Sequence, residues 1–411
     1  MKYSQIFKNP IIRGLTTIQF LSYFGTVFSH VAIASLLVKL GAGADMIAMI
    51  FIAILLPSLV LAPINGYIID RFEFKKLILV LLGIEMSMTI CFMFVNTLEY
   101  IWLLWTFLFV RSIAGTIIFT AEMSYLPKVI SGDTLKAANE VHSIIWSSTF
   151  AFGMALGGLS TYYIGYIGTF MMDFSFYLIA FFVMLKLPIE VIRNKAQSAW
   201  SATKEVFGYI RANPKLVHIM ILHSSVGLTA FDTIVTLLAK TEYKYVIAVP
   251  LAIGWINFSR AIALMIGPVV FGKHIKMNNL WIVMILQGIT IIIWAYLQYD
   301  FSLSLFSMFF VGLFTTSIWS FTYYLLQQNT DSEFLGRVVS YNDMVFMAVG
   351  VSMTYTIGKM ANAGVALSHI SMMIGAIFFL VAFYAYTLRD KITIWESKSL
   401  GEQKAPFIDK I

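Results

Sequence analysis

The sequence predicts an all-α membrane protein with twelve transmembrane helices in two pseudo-symmetric six-helix halves. Three observations predict it. Of the 411 residues, 59% are hydrophobic and only 12% are charged, about half the charged share of an average soluble domain. The apolar residues come in runs of about 20, long enough to cross a bilayer as a helix, and not in strand-like alternation. The basic residues fall almost wholly on alternate joins between those runs. The composition excludes a water-soluble enzyme, a disordered chain and a nucleic-acid binder. The net charge of +7 belongs to the loops.

The first run, 14–40, follows Lys2, Lys8 and Arg13 and resembles a signal peptide, but it is too long and lacks an Ala-x-Ala-like end. It is expected to remain as the first span. Spans follow at 46–69, 77–97, 101–126, 138–165 and 169–187, then at 216–239, 246–271, 279–298, 302–328, 338–360 and 366–388. The joins are short except for 188–215, which divides the chain. The expected organisation is a first half over 1–187, a linker over 188–215, a second half over 216–388 and a polar, loosely ordered tail over 389–411. In the linker, Trp200, Thr203, Phe207 and Ile210 recur at helical spacing, with Lys204, Glu205 and Arg211 elsewhere around the turn. That pattern predicts an amphipathic helix lying on the membrane surface.

With the N-terminus in the cytoplasm, only Lys39, Lys240, Lys244 and Lys359 of the 28 basic residues fall outside, and Arg111 and Arg260 lie within spans. Both chain ends are therefore expected in the cytoplasm, across an even number of spans. A coarse repeat relates the halves. Leu61-Ala-Pro-Ile64 ends span two and Ile266-Gly-Pro-Val269 lies in span eight; Asn139-Glu140 opens span five and Asn342-Asp343 span eleven. Cys91 is the single cysteine, so no intramolecular disulfide and no cysteine metal site is possible.

No Walker A loop, His-Glu-x-x-His or Gly-x-Ser-x-Gly occurs, so neither an ATP motor nor a known hydrolytic centre is encoded. No cofactor and no metal is expected. The strongest motif is Gly66-Tyr-Ile-Ile-Asp70-Arg71-Phe-Glu-Phe-Lys75-Lys76, on the cytoplasmic side of span two. Gly66 allows close helix approach. Asp70 can meet a helix N-terminus, and Arg71, Lys75 and Lys76 can pair with acids across the interface between halves. Topogenic positive charge alone would account for the same basic residues.

This pattern resembles the cytoplasmic gate motif of the major facilitator superfamily, with Glu73 and Phe74 where many members have Gly and Arg. Arg111-Ser-Ile-Ala-Gly115 is similar to that family's proton-coupling motif in helix four. Gly153-Met-Ala-Leu-Gly157-Gly158 is similar to its antiporter motif in helix five, with Met154 in place of proline. Asp70-Arg-Phe-Glu-Phe-Lys-Lys, Leu126-Pro127 with Ala138-Asn139, Gly208-Tyr-Ile-Arg-Ala-Asn-Pro-Lys-Leu216 and Gly336-Arg-Val338 resemble the enterobactin-exporter and macrolide-efflux branch. The resemblance implies twelve helices, alternating access, a monomer in a bacterial inner membrane, and export of a small molecule driven by protons.

Ionisable residues within spans are costly and mark function by default. His30, Arg111, Asp232 and Arg260 are the expected coupling residues. His30 could take the protonatable role that an acid in helix one has in many relatives; a polar residue bonded to a neighbouring helix is the plainer reading. Asp232 and Arg260 could equally form a structural ion pair. Glu122 and Asp343, with Asp70, Arg71, Lys75 and Lys76, are expected at the inner gate, beside His142. Glu85 is expected in a structural pair, and Asp173 as a capping or snorkelling acid. In this fold helices one, four, seven and ten line the cavity, which places Gln19, Tyr23, Trp319, Tyr323, Tyr324 and Gln327 on its walls. Such walls suit an amphiphilic organic substrate, and two arginines against one acid hint at an anionic group on it. Gly115, Gly153, Gly157 and Gly158 are the expected helix-packing positions. Uptake or lipid flipping in the same fold is the alternative function; a non-transporting receptor is a third, and an intramembrane enzyme the last.

Overall fold

The structure, a computed structural model, describes residues 7–130, 132–189, 199–271, 274–331 and 334–402. Every regular element among them is a helix. Helix α1 (Pro10–Leu40) starts where Asn9 accepts the amide hydrogens of Ile11 and Ile12, and it ends at Gly41 in the left-handed conformation. This is a side-chain N-cap and a glycine C-cap. Then come α2 (Ala44–Arg71), α3 (Phe74–Phe92) and α4 (Ile101–Val129).

One helical element, Gly132–Lys186, holds the fifth and sixth spans, broken only at Gly165 (φ 71°, ψ 175°). Segments 132–164 and 166–186 are α5 and α6. The chain reverses there. Thr169 meets the hydroxyls of Ser160 at 3.0 Å and Thr161 at 3.2 Å across the turn, and donates to the Gly165 carbonyl at 2.9 Å. The sequence placed a short join at 166–168; a single glycine makes it. That backbone region belongs almost solely to glycine, so Gly165→Ala should cost about 1–3 kcal/mol. Thermal unfolding of the purified protein would read this as a lower midpoint.

The linker helix α7 (Ala199–Ala212) lies within the expected 188–215; residues 190–198 are outside the description. Its surfaces are divided: Val206 and Ile210 are buried, whereas Phe207 is exposed. Tyr209 stacks on Phe334 at 4.2 Å, and its hydroxyl accepts the Asp331 amide hydrogen at 3.0 Å. Burial pushes the Tyr209 phenol above its usual range. Arg337 pairs with Glu205 at 2.8 Å.

Span seven departs from the continuous helix that its apolar pattern predicts. It consists of α8 (Pro214–Ser224), a tight helical stretch Ser225–Thr229 and α9 (Asp232–Thr241). Two local causes are visible. Ser225 and Thr229 donate to carbonyls three residues back, at 2.6 and 2.7 Å, a bonding that competes with the regular ladder. Gly227 lies against the next-but-three span, where an added Cβ would come within 2.6 Å of the Phe346 carbonyl. Helices α10 (Val249–Phe271), α11 (Leu280–Leu297), α12 (Phe301–Gln328), α13 (Leu335–Asn362) and α14 (Leu367–Glu402) complete the chain. The last runs to Glu402 as a helix, past residue 388 where the final span was expected to end and the loose tail to begin.

Ten of these stretches are long and apolar enough to cross a membrane, and one of the ten holds both α5 and α6. Helix α3, with Lys75, Lys76 and Glu85, is the twelfth segment. The two ends of the bundle differ. The basic end carries Lys75, Arg337 and α7; the far end carries Lys39, Lys240 and Lys359. One apolar cluster joins α8–α14 with Val31, Ala34 and Met154, and two others lie mainly among α1–α6.

The halves meet along α2–α13 and α5–α10. Both include close approaches at the far end. A Cβ on Gly158 would lie 2.6 Å from the Pro250 carbonyl and 3.3 Å from Gly254 Cα, and one on Gly358 would lie 2.5 Å from Ala48 Cβ. Lys240 donates to the Ala42 carbonyl at 2.6 Å, tying α9 to the turn after α1. The far end is therefore closed.

Candidate functional site

The most deeply buried charges lie in the first half. Arg111, on α4, is 2% exposed, and Asp173, on α6, is fully buried; Nη1 and Oδ2 are 3.0 Å apart. Arg111 Nη2 also donates to Ser29 Oγ at 2.8 Å and to the Tyr177 hydroxyl at 2.9 Å, while Nη1 reaches Thr89 Oγ1 at 3.4 Å. Its guanidinium lies 5.3 Å from the centre of both the Phe92 and the Tyr177 ring. Nε is buried without a hydrogen-bond partner among the described residues, but the contacts of both Nη atoms restrain the guanidinium, because losing one would leave a buried charge less satisfied.

Three further polar groups flank this pair. Glu85, on α3, takes a hydrogen bond from Ser22 Oγ at 3.2 Å. Its other oxygen, Oε1, is buried without a hydrogen-bond partner among the described residues. Gly115 leaves the space beside that oxygen: an added Cβ would sit 3.3 Å from it. His30 stands next to Ser29 on α1, with Nε2 buried and without a hydrogen-bond partner among the described residues. Toward the basic end, Glu122 on α4 accepts from Gln19 Nε2 at 3.5 Å, and Gln19 also contacts His142 on α5. Tyr23 and Phe119 pack around the His142 ring. Gln19, Glu122 and His142 line a cavity of about 10 Å³ with Ile12, Leu15, Thr16, Leu126 and Ala138, the size that holds one water.

The second half is built differently. Arg260 Nη2 lies 3.3 and 3.5 Å from the two Asp232 oxygens, and Nη1 donates to the Thr229 carbonyl at 3.5 Å. The break before α9 is what brings Asp232 to this place. Asp232 keeps 26% side-chain exposure, so this pair is less enclosed than the first. Arg260 also lies over the Phe150 ring of α5, at 5.7 Å, across the interface between halves. With Asp173 on Arg111 and Asp232 on Arg260, each mid-span arginine has its own carboxylate. The hint of an anionic substrate group, drawn from two arginines against one acid, loses its basis.

The expected wall residues of α12 separate. Trp319 and Tyr323 are half-buried and stack at 6.0 Å, whereas Tyr324 and Gln327 are exposed. Behind the first two sits His223 of α8, fully buried, bonded through Nδ1 to Thr322 Oγ1 at 2.9 Å and 4.4 Å from the Trp319 ring. Phe346 of α13 closes the group, 4.8 Å from Trp319. Asp343, half-buried one turn away on α13, accepts from Asn342 at 3.4 Å.

The expected gate residues do not assemble as one group among the described residues. Lys75 donates to the carbonyls of Leu185 and Leu187, at 2.9 and 2.8 Å, where it satisfies the end of α6 within its own half. Lys76 pairs with Glu73 three residues earlier, at 2.7 Å on the surface. Both were expected to pair across the halves. Cations near a helix C-terminus are favoured by its orphan carbonyls and dipole, which explains the local choice. Arg71 is the last residue of α2. The surroundings of Gly66 and the side chain of Asp70 lie outside the description. Glu122 faces Gln19, inside the first half.

The glycines sort by partner. Cβ atoms on Gly153 and Gly157 would meet Val27 of α1 at 3.0 Å and the Phe28 carbonyl at 2.3 Å, so these two fit α5 to α1, while Gly158 fits α5 to α10.

Asp173, Glu85, Tyr177 and His223 were not among the expected site residues. Asp173 was expected to cap or snorkel, yet it is enclosed and paired, because α6 packs its face against α1 and α3. A signal was present in the sequence: Gln19, Ser22, Thr26 and Ser29 recur at spacings of three, four and three, one polar stripe along an otherwise apolar helix. Such a stripe needs polar partners in neighbouring spans.

A sequence profile described as Major Facilitator Superfamily matches residues 15–355. A curated relative, the uncharacterized MFS-type transporter YfiS of Bacillus subtilis (strain 168), is 26% identical over 223 residues. That match covers 52% of this chain and 52% of the relative, so the chain spans about half the length of the curated relative it matches. The fold is similar to the crystal structure of the nucleoside transporter NupG, with a TM-score of 0.71 and 14% identity over 93% of this chain and 99% of that one. It is also similar to the crystal structure of a D-xylose-proton symporter, with a TM-score of 0.73 and 11% identity over 93% of this chain and 97% of that one. At such identities the likeness is one of fold.

Proposed function

The chain belongs to the major facilitator superfamily, and from that premise we propose that it exports a small amphiphilic compound, a siderophore-like metabolite or a drug, in exchange for protons. Family membership makes it a membrane transport protein. The observation that carries proton coupling is the enclosed Arg111–Asp173 pair beside Glu85, whose second oxygen has no hydrogen-bond partner among the described residues. A buried carboxylate in that position gains or loses a proton at the cost of rearranging its neighbours, so protonation and conformation are linked.

Outward direction and the substrate class rest on the resemblance of Asp70-Arg-Phe-Glu-Phe-Lys-Lys, Leu126-Pro127 with Ala138-Asn139, the segment 208–216 and Gly336-Arg-Val338 to the exporter branch. The basic residues support both ends in the cytoplasm, and a bacterial inner membrane rests on the resemblance and the short loops. In this reading the basic end faces the cytoplasm, and the closed far end faces outward. Residues 1–187 and 216–388 move as halves about α2–α13 and α5–α10, with α7 as a brace within the 188–215 linker and 389–411 as a cytoplasmic extension. Trp319 and Tyr323 line the substrate path with Gln19 and Tyr23, and Tyr324 and Gln327 lie at its cytoplasmic mouth. The chain works as a monomer.

Cells producing the protein should accumulate less of a fluorescent macrolide than cells without it, and a protonophore should restore accumulation. Equal accumulation with and without the protonophore would contradict proton-driven export of that class.

A further inference from the structure

The polar stripe of α1 threads every buried charge of the first half. Gln19 meets Glu122 and His142; Ser22 meets Glu85; Thr26 meets the Tyr177 hydroxyl at 2.8 Å; Ser29 meets Arg111, which holds Asp173. These four residues share one helix face, and their partners stand on α3, α4, α5 and α6. The groups therefore form a column between helices of a single half, separate from the aromatic wall around Trp319 and His223.

The charges in this column do not balance. One cation, Arg111, faces three enclosed carboxylates: Asp173, Glu85 and Glu122. Glu85 and Glu122 each keep one oxygen buried and without a hydrogen-bond partner among the described residues. Their partners Gln19 and Ser22 stand one turn apart on α1. At the basic end, the column opens on the water-sized cavity against Glu122 and His142.

We propose that protons cross the first half along this column, entering at Glu122 from the cavity, passing to Glu85 and reaching Asp173. The proposal rests on the proton-driven reading and names its route. Each step moves one proton: the donor carboxyl becomes a carboxylate as the acceptor becomes neutral. When Asp173 takes the proton that Glu85 gives up, the negative charge facing Arg111 shifts from α6 to α3. The guanidinium then has cause to change partners, between α6 and the neighbouring α3. That exchange couples a proton to a helix movement. The groups that face the column are His142, Tyr23 and Phe119 near Glu122, and Ser22, Arg111, Asp173 and Tyr177 near Glu85.

The test uses the full chain in liposomes, with two readouts. The first is infrared spectroscopy of the protonated-carboxyl band after transfer to deuterated buffer. Glu122→Gln keeps the shape and the contact with Gln19, and it should slow exchange of the remaining band by about a hundredfold, the lower end of what a positioned proton-transfer group contributes. Ser22→Ala, which removes no charge, should slow it in the same direction. If Glu122→Gln does not fold, Ser22→Ala carries the test alone. The second readout is substrate-dependent proton movement, followed by an internal pH dye with siderophores, lipophilic drugs and lysophospholipids as probes. Slowed exchange together with lost proton movement supports the route. Unchanged exchange in both variants, with proton movement intact, overturns the route and leaves proton-driven transport standing. Slowed exchange in a protein that moves no protons with any probe supports the route and overturns the transport reading.

Discussion

Replacing Arg111 by alanine is expected to abolish proton-coupled transport and to destabilise the fold by about 3–5 kcal/mol, the cost of leaving a buried charge without its partner. Both effects follow from the enclosure of the pair, 2% and 0% exposed. The two can be separated. An apolar pair, Arg111→Met with Asp173→Leu, removes both charges at once, and such replacements are often neutral or stabilising. The double variant should therefore regain much of the thermal midpoint lost in Arg111→Ala while remaining inactive in transport. Transport by the double variant would show that the pair is structural. A midpoint as low as that of the single variant would show that the geometry around Ser29, Thr89 and Tyr177, not charge pairing, is what stabilises the site.

The second large effect is expected at Gly158. Its Cα faces the Pro250 carbonyl and Gly254 across the interface between halves, with no room for a Cβ. Gly158→Leu must part α5 from α10 at the far end. Overpacking of this kind costs about 1–3 kcal/mol, which shifts a two-state equilibrium by about 5–150-fold. Because the strain exists only where the far end is closed, the variant should favour the opposite state. Spin labels at Tyr163 and Tyr245, which are 76% and 87% exposed at the far end, should report a longer distance than in the parent protein, with Cys91 replaced in both. An unchanged distance would mean that the neighbours absorb the side chain and that this contact does not set the closed state.

The spans were legible because a bilayer sets their length and composition, and an apolar run of 20 residues has few other uses. The break in span seven was not, since Ser224-Ser-Val-Gly-Leu-Thr229 holds no proline and no charge to interrupt the run. Its irregularity comes from hydroxyls bonding nearby carbonyls and from the close approach of α13 to Gly227. At the site, Arg111 was legible from depth alone. Its partner was not, because the sequence places Asp173 one turn into span six, where an acid commonly snorkels; the packing of α6 on α1 and α3 encloses it. Lys75 and Lys76 show the converse. A basic motif fixed their place at the basic end but not their partners, and the carbonyls of α6 and the neighbouring Glu73 were nearer than any acid of the other half.

The most direct measurement of proton-driven transport is made in liposomes containing the protein and a pH-sensitive dye, with siderophores, lipophilic drugs and lysophospholipids added in turn under an imposed proton gradient. The account predicts that at least one compound drives proton movement opposite in direction to its own, and that Arg111→Ala abolishes the signal. Substrate flux that moves no protons, or proton movement that persists undiminished in Arg111→Ala, would contradict it.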